Sequence, residues 1–179
     1  MAGKLGSIGY ALFFTVLSAQ GAQAENCRLS LSQPRIDYGV IRREALVESA
    51  TVTLATRTLQ LNVLCVEPTA MALRFVGAAD GQAFRFGQQG RMRFSLKHAQ
   101  VDGRAVDWDP LGSGAGGQLL PGQILTARAA GMPVAGQRLT AQVDIDVDLP
   151  ADALQVRSQT LLEGLGSFEL VSPAVPQSR

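Results

Sequence analysis

The sequence predicts an all-β protein that folds as a sandwich of two β-sheets. Apolar residues recur at every second position in several short segments, and prolines and glycines separate these segments. No segment after the first two dozen residues keeps a helical period for three turns; residues 150–159 could hold one turn at most. Many short strands divided by turn signals are typical of a β-sandwich.

The alternating segments predict half-buried strands, because a period of two turns one face toward a core. The predicted strands are residues 59–66, 71–75, 83–86, 92–96 and 143–149. In the first of them Cys65 falls on the inward face. Asp102-Gly103 predicts a tight type I′ turn, since both residues tolerate a positive φ. This turn would join the strand ending near His98 to residues 105–108.

The N-terminus predicts export. Lys4 is followed by an apolar run from Ile8 to Leu17 and by the small-residue triplet Ala22-Gln23-Ala24. Residues 1–24 are therefore a predicted signal peptide, cleaved before Glu25. The alternative is a membrane anchor, but the run is about half the roughly twenty residues that a spanning helix needs. Residues 25–171 are then one sandwich domain, and residues 172–179 a flexible tail.

The balance of charge excludes several partners. The whole chain has 16 basic and 15 acidic residues, and removal of Lys4 leaves 15 of each. A neutral chain has no general attraction for nucleic acid or for an anionic membrane surface. A mature length of about 155 residues suits a single domain with one core.

The two cysteines predict one disulfide. In an exported chain Cys27 and Cys65 lie where thiols oxidise, and two cysteines allow only one intramolecular bridge. A metal pair or a redox pair is the alternative, but cysteines this far apart match neither C-x-x-C pattern. A bridge that closes such a loop stabilises the fold by about 4 kcal/mol in the chain-entropy model.

The residues that enzymes need are scarce, so we expect no catalytic site, cofactor or metal. His98 is the only histidine, and no serine lies in a G-x-S-x-G context. The glycine-rich residues 111–117 lack the lysine and hydroxyl residue of a phosphate loop, which predicts a mobile surface loop.

Two further features have competing interpretations. Asp144, Asp146 and Asp148 could bind calcium, but alternate apolar residues place them on the wet face of one strand, where a solvated acidic face or a partner contact is expected instead. Trp108 could stack on a glycan, although a lone tryptophan more often packs in a core.

The order of these motifs resembles subunits of chaperone/usher fimbriae, and within them a fimbria-associated branch of unknown function. The resemblance covers nearly all of the mature chain. It rests on a cysteine near the mature N-terminus, on residues 36–41, on the strand that leads to Cys65, and on the glycine-containing residues 162–170.

The resemblance implies an immunoglobulin-like, pilin-type sandwich that lacks its last strand. Its groove would run along the final strand, whose predicted residues are Leu162, Gly164, Gly166, Phe168 and Leu170. Phe168 would be the anchor of that strand, and the two glycines would leave room for an incoming side chain. The disulfide would tie the first strand, beside the groove, to the second. The implied partners are a periplasmic chaperone, an outer-membrane usher and a neighbouring subunit.

Two departures from the family pattern define the expected role. Only Glu25 and Asn26 would precede Cys27 after cleavage, whereas polymerising subunits carry a longer donor arm. The family's final strand also tends to finish with an aromatic residue next to the terminus, whereas here the proline-containing residues 172–179 follow, and prolines cannot extend a sheet. We therefore expect a structural or adhesive subunit that accepts a donor strand and gives none, at a tip or terminating position. The alternative is a self-complete periplasmic or secreted sandwich that binds a ligand such as a glycan.

Overall fold

A computed structural model describes residues 26–39, 51–110, 117–154 and 161–171. The predicted signal peptide, the predicted C-terminal tail and nearly all of the glycine-rich loop lie outside these residues. Within the described part of the chain, no helix is long and apolar enough to cross a membrane.

The protein is an all-β sandwich, as predicted, and among the described residues the one helical segment is a short 3₁₀ turn at Ala151–Leu154. The described strands are β1 (Cys27–Leu31), β2 (Thr51–Thr53), β3 (Arg57–Ala70), β4 (Ala72–Gly77), β5 (Ala79–Asp80), β6 (Ala83–Phe86), β7 (Gly90–Val101), β8 (Arg104–Ala105), β9 (Asp107–Pro110), β10 (Gln118–Leu119), β11 (Leu125–Ala129), β12 (Met132–Pro133), β13 (Ala135–Pro150) and β14 (Gly166–Leu170).

The strands form two antiparallel sheets. The first has the order β1-β3-β13-β7-β6-β5, with β2 added to β13 and with β8 and β10 added to β7. The second has the order β12-β11-β4-β14, with β9 paired to β11. Six strands make up the main frame: one sheet contains β1, β3, β13 and β7, and the other contains β4 and β14. Counted in chain order, the first, second, fourth and fifth of these strands share a sheet, and the third pairs with the sixth. That is the immunoglobulin arrangement, in which a seventh strand would pair with the sixth.

The core lies between the sheets and is built from the inward face of each long strand. β3 shows the predicted alternation: Leu59, Leu61 and Val63 are buried, and the residues between them are exposed. β7 and β13 supply the other half of the same layer. Near the β14 end, Phe75 packs against Phe84 and Phe94, with ring centroids 4.7 and 4.3 Å away. The alternation therefore predicted which side chains fill the interior.

The predicted type I′ turn is confirmed, since Asp102 and Gly103 have φ angles of 49° and 80°. The carboxylate of Asp102 also accepts hydrogen bonds from the backbone N–H groups of Gln137 and Arg138, at 3.2 and 2.8 Å. Those donors become available where β13 shifts register against β3 after Gly136. One aspartate thus forms the turn and caps an irregularity 35 residues away in the sequence.

The second sheet contains strands that the sequence did not predict. In β11, Leu125, Thr126 and Ala127 are consecutive and all buried, so the period of two is lost. β11 lies between β4 and β9 in the sheet, and the burial of three consecutive residues shows that both of its faces are covered there. A strand that is buried on both faces carries no alternating signal.

The predicted disulfide is confirmed. Cys27 and Cys65 lie directly opposite each other on β1 and β3, with their Cα atoms 4.0 Å apart. Cys65 is only 5% exposed and belongs to the core, as its place in the alternation predicted. The bridge therefore fastens the first strand to the interior of the sandwich.

We predict that breaking this bridge lowers the free energy of unfolding by up to about 4 kcal/mol, the entropy of closing a loop whose ends are 38 positions apart in the sequence. Urea unfolding of the Cys27→Ala/Cys65→Ala double variant measures the loss. Reduced wild-type protein is the matched control and should lose a similar amount. An unchanged unfolding midpoint after reduction would contradict the bridge's stabilising role.

Candidate functional site

The two sheets end in edges of very different kinds. β5 and β12 have two residues each, too short to pair with another chain for any distance. β9 is longer, but it carries Pro110 and the ion pair between Asp109 and Arg128. Short, charged or proline-containing edges discourage pairing. β1 and β14 are different, since each has five residues and, among the described strands, only one neighbour.

β14 presents two large apolar side chains toward the interior. Phe168 and Leu170 are half-buried and pack against the core. The Phe168 ring lies 5.0 Å from Phe75 and 5.4 Å from Phe94, centroid to centroid, with both neighbours in edge-on geometry. Phe168 is therefore an anchor for β14, although part of its surface remains open.

β1 presents a matching apolar row from the other sheet. Cys27, Leu29 and Leu31 face inward, are half-buried and touch the core. β1 and β14 approach to within 8 Å between Cα atoms, but no backbone hydrogen bond joins them in the described structure. We call the two rows, Cys27, Leu29 and Leu31 with Phe168 and Leu170, the open edge.

Some backbone hydrogen-bonding groups at the open edge have no partner among the described residues. Val171 donates its N–H to Ala72 of β4, so in the antiparallel register Ser167 and Glu169 also face β4. The N–H groups of Phe168 and Leu170 consequently point away from β4. On β1, Ser32 donates to Gln60 of β3, which by the same alternation turns the N–H groups of Leu29 and Leu31 outward.

The spacing of the open edge limits what can pair there. Hydrogen-bonded strands lie about 4.8 Å apart, so a strand inserted between two others needs about 9.6 Å. Where β1 and β14 come within 8 Å the gap is too narrow. An incoming strand must therefore separate the two edges there or pair with one of them.

Side chains of the core lie close to both predicted groove glycines. A Cβ atom added at Gly166 would lie 2.2 Å from Cζ of Phe75, and one added at Gly164 would lie 3.0 Å from Cε of Met92. The space next to each glycine is thus filled by the chain's own side chains. In this structure that space is not open to an incoming side chain.

The predicted last strand is also shorter than expected. β14 begins at Gly166, so Leu162 and Gly164 precede it. Leu162 packs over Gly87, and the carbonyl of Glu163 accepts a hydrogen bond from the Gly87 N–H at 2.8 Å. These residues hold the chain against the turn between β6 and β7. Phe168 and Leu170 are the predicted residues that remain at the open edge.

Trp108 belongs to the core and not to a surface ligand site. It is 8% exposed and pairs with Ala127 across β9 and β11. So little ring surface is accessible that a sugar could not stack on it.

His98 is exposed and lies within β7, where a φ of 50° accompanies a register shift against β13. It was expected at the end of a strand.

The three aspartates of β13 form a hydrogen-bonded ladder on the outer face of the first sheet. The hydroxyls of Thr58, Thr56 and Thr53 donate to Asp144, Asp146 and Asp148 at 2.9, 2.6 and 2.8 Å, respectively. On the other side Lys97 pairs with Asp144 at 2.8 Å and Arg93 with Asp148 at 2.6 Å. The row is therefore largely neutralised by its neighbours. In the described residues no group of acidic, histidine or cysteine side chains is arranged to hold a metal ion.

Asp144 is the most enclosed member of this ladder, at 7% exposure. Burial alone would raise the pKa of its carboxyl, but hydrogen bonds from Lys97, Gln142 and Thr58 outweigh burial and leave the pKa below its ordinary value. The same contact with Asp144 raises the pKa of Lys97. Both shifts mean that the folded state favours the charged pair.

Comparisons with known proteins add no family. No protein-family model matches the chain, and no curated protein matches it.

We predict that Phe168→Ala lowers the free energy of unfolding by about 2 to 3 kcal/mol, somewhat less than for a fully buried phenylalanine, because part of the ring is exposed. Denaturant unfolding measures the loss. Leu165→Ala is the matched control, since Leu165 is 77% exposed and should change stability by less than about 0.5 kcal/mol. Equal losses in the two variants would show that Phe168 does not anchor β14.

We predict that Asp144→Asn costs about 1.5 to 3 kcal/mol at neutral pH, because it removes the charge from a nearly buried hydrogen-bonded carboxylate. A carboxyl with a lowered folded-state pKa stabilises the protein above its unfolded pKa, near 3.8, and this stability disappears as the pH falls further through the folded value.

Urea unfolding between pH 7 and about pH 2 tests both parts. Wild-type stability should fall more steeply than that of Asp144→Asn below about pH 4. Asp80→Asn, which breaks the exposed ion pair with Arg91, should cost at most about 1 kcal/mol. Parallel acid profiles for wild type and Asp144→Asn would refute this role of Asp144.

Proposed function

We propose that this protein is an exported fimbrial or fimbria-like subunit, structural or adhesive, that accepts a strand from another protein at its open edge. The observation that carries the proposal is the pair of five-residue edge strands, β1 and β14, with half-exposed apolar rows and outward backbone N–H groups. Strand addition uses both features, because backbone hydrogen bonds give affinity and alternate side chains give specificity.

The position of the open edge supports the same role. β14 occupies the place of the sixth immunoglobulin strand, and the open edge lies where the seventh would pair. The resemblance to chaperone/usher subunits implies that a periplasmic chaperone supplies this strand first and a neighbouring subunit later. Delivery would involve an outer-membrane usher, with the subunit passing from the periplasm to the fimbrium or cell surface.

The N-terminal sequence supports an acceptor that gives no strand. With cleavage before Glu25, two residues precede the disulfide-bonded Cys27, and β1 begins at that cysteine. So short a segment cannot reach a second subunit as a strand. Such a subunit would stand at a tip or terminate assembly, and sequencing the N-terminus of the mature protein tests the premise directly.

We predict that the isolated mature chain aggregates or is degraded in a periplasm, because an uncovered apolar edge promotes association. A synthetic peptide of about ten residues that alternates valine with threonine should keep it monomeric and raise its unfolding midpoint. A peptide of the same composition with consecutive valines should not, since it cannot direct its apolar side chains to one face.

Two substitutions locate the binding. Leu170→Asp places a charge in the open edge and should abolish the effect of the alternating peptide. Leu165→Asp changes a side chain that is 77% exposed outside β14 and should preserve it. If the isolated chain is a monomer that unfolds reversibly, and neither peptide alters its midpoint, the donor-strand proposal is wrong. That result would favour the alternative, a self-complete exported sandwich.

A further inference from the structure

A polar pocket lies apart from the open edge, where the chain leaves β1 and where β3 begins. It has a volume of about 330 Å³, within the range of small-molecule sites. Its lining residues come from two segments that are distant in sequence: Gln33, Ile36 and Asp37 from the first, and Thr56, Arg57, Thr58 and Leu59 from the second. No residue of β14 contributes to it.

Several polar groups in the pocket have donor or acceptor atoms that no described residue occupies. Arg57 donates from Nη2 to the carbonyl of Asp37, at a long 3.3 Å, and forms no ion pair with a described residue. Asp37 uses Oδ1 to accept the Gly39 N–H at 2.7 Å, which leaves Oδ2 without a described partner. The side chain of Gln33 likewise makes no hydrogen bond to a described residue.

The threonines add acceptors only. Thr56 and Thr58 donate their hydroxyl hydrogens to Asp146 and Asp144, so their oxygens can still accept. The pocket therefore combines a guanidinium, a carboxylate, an amide and two hydroxyl oxygens. Ile36, which is half-buried and packs on the core, is the main apolar side chain of the lining, because Leu59 is almost fully buried.

The pocket wall is supported from behind. The Arg57 guanidinium carbon lies 5.5 Å from the centre of the Tyr38 ring, and Tyr38 packs edge-on against Phe86 at 6.1 Å. Arg57 covers the face of Tyr38, so that ring is not available to stack on a ligand. Contacts in the pocket must then come mainly from hydrogen bonds.

The charges argue against an anionic ligand. The single cation, Arg57, is accompanied by Asp37 in the lining and by Asp144 and Asp146, which accept from the lining threonines. A phosphate or carboxylate would meet Asp37 and Asp146, whereas Asp144 is already paired with Lys97. An uncharged ligand with several hydroxyl groups avoids that repulsion, and neighbouring hydroxyls can donate to a carboxylate while accepting from a guanidinium or amide.

We propose that this pocket binds an uncharged polyhydroxylated ligand, of the chemical class of a hexose ring. The site is independent of the donor-strand proposal, because no β14 residue lines it. A shallow site without ring stacking should bind weakly, with a Kd in the millimolar range.

The test is a two-dimensional NMR titration of the mature chain with glucose, galactose, mannose and N-acetylglucosamine, each to about 50 mM, well above a millimolar Kd. The sample is whichever form is monomeric, the free chain or its complex with the alternating peptide. At least one sugar should give saturable shifts confined to residues 33–37 and 56–59. Sodium phosphate should give none there.

Substitutions separate a site from general surface contact. Gln33→Ala and Asp37→Asn should each weaken binding about fivefold or more, and asparagine can still accept the Gly39 N–H. Gln88→Ala, which changes an exposed amide in the turn between β6 and β7, should leave the affinity unchanged. Absence of saturable shifts with all four sugars, equal effects of Gln33→Ala and Gln88→Ala, or tighter binding of phosphate at these residues would each overturn the proposal.

Discussion

The disulfide between Cys27 and Cys65 fixes the strand on which the proposed function depends. It joins β1 to β3 at a position where the paired residues exchange no backbone hydrogen bonds, as the bonds of the flanking residues show. The same alternation directs the N–H groups of Leu29 and Leu31 away from β3. The bridge thus holds one side of the open edge in place and leaves its outer backbone groups available.

β13 is the central strand of the first sheet, and its side chains have partners on both faces. This sixteen-residue strand lies between β3 and β7, buries its apolar residues in the core and carries the aspartate ladder on its outer face. Threonine hydroxyls and the cations of β7 satisfy the carboxylates, so this face needs no outside partner. The contrast identifies the open edge as the part of the described sandwich where apolar side chains and unpaired backbone occur together.

The sequence predicted the features that depend on local pattern. Alternation identified β3, β6 and the inward direction of Cys65, and the Asp-Gly pair identified the turn after β7. It did not predict β11, whose consecutive buried residues have no period, or the cap that Asp102 provides to β13. Nor could it show that Phe75 fills the space beside Gly166, because that depends on how the two sheets pack. Local patterns in the sequence could not predict contacts between distant segments. The polar pocket is formed by two such segments, so it could not be predicted either.

The proposed function requires β14 to have one paired and one unpaired edge, and hydrogen exchange of individual amides distinguishes the two. In the monomeric chain, the amides of Phe168 and Leu170 should exchange quickly, while those of Ser167 and Glu169, which face β4, should be protected. Addition of the alternating peptide should protect Phe168 and Leu170 as well. Equal protection of all four amides before any peptide is added would mean that the edge is already paired, and β14 could then accept no further strand.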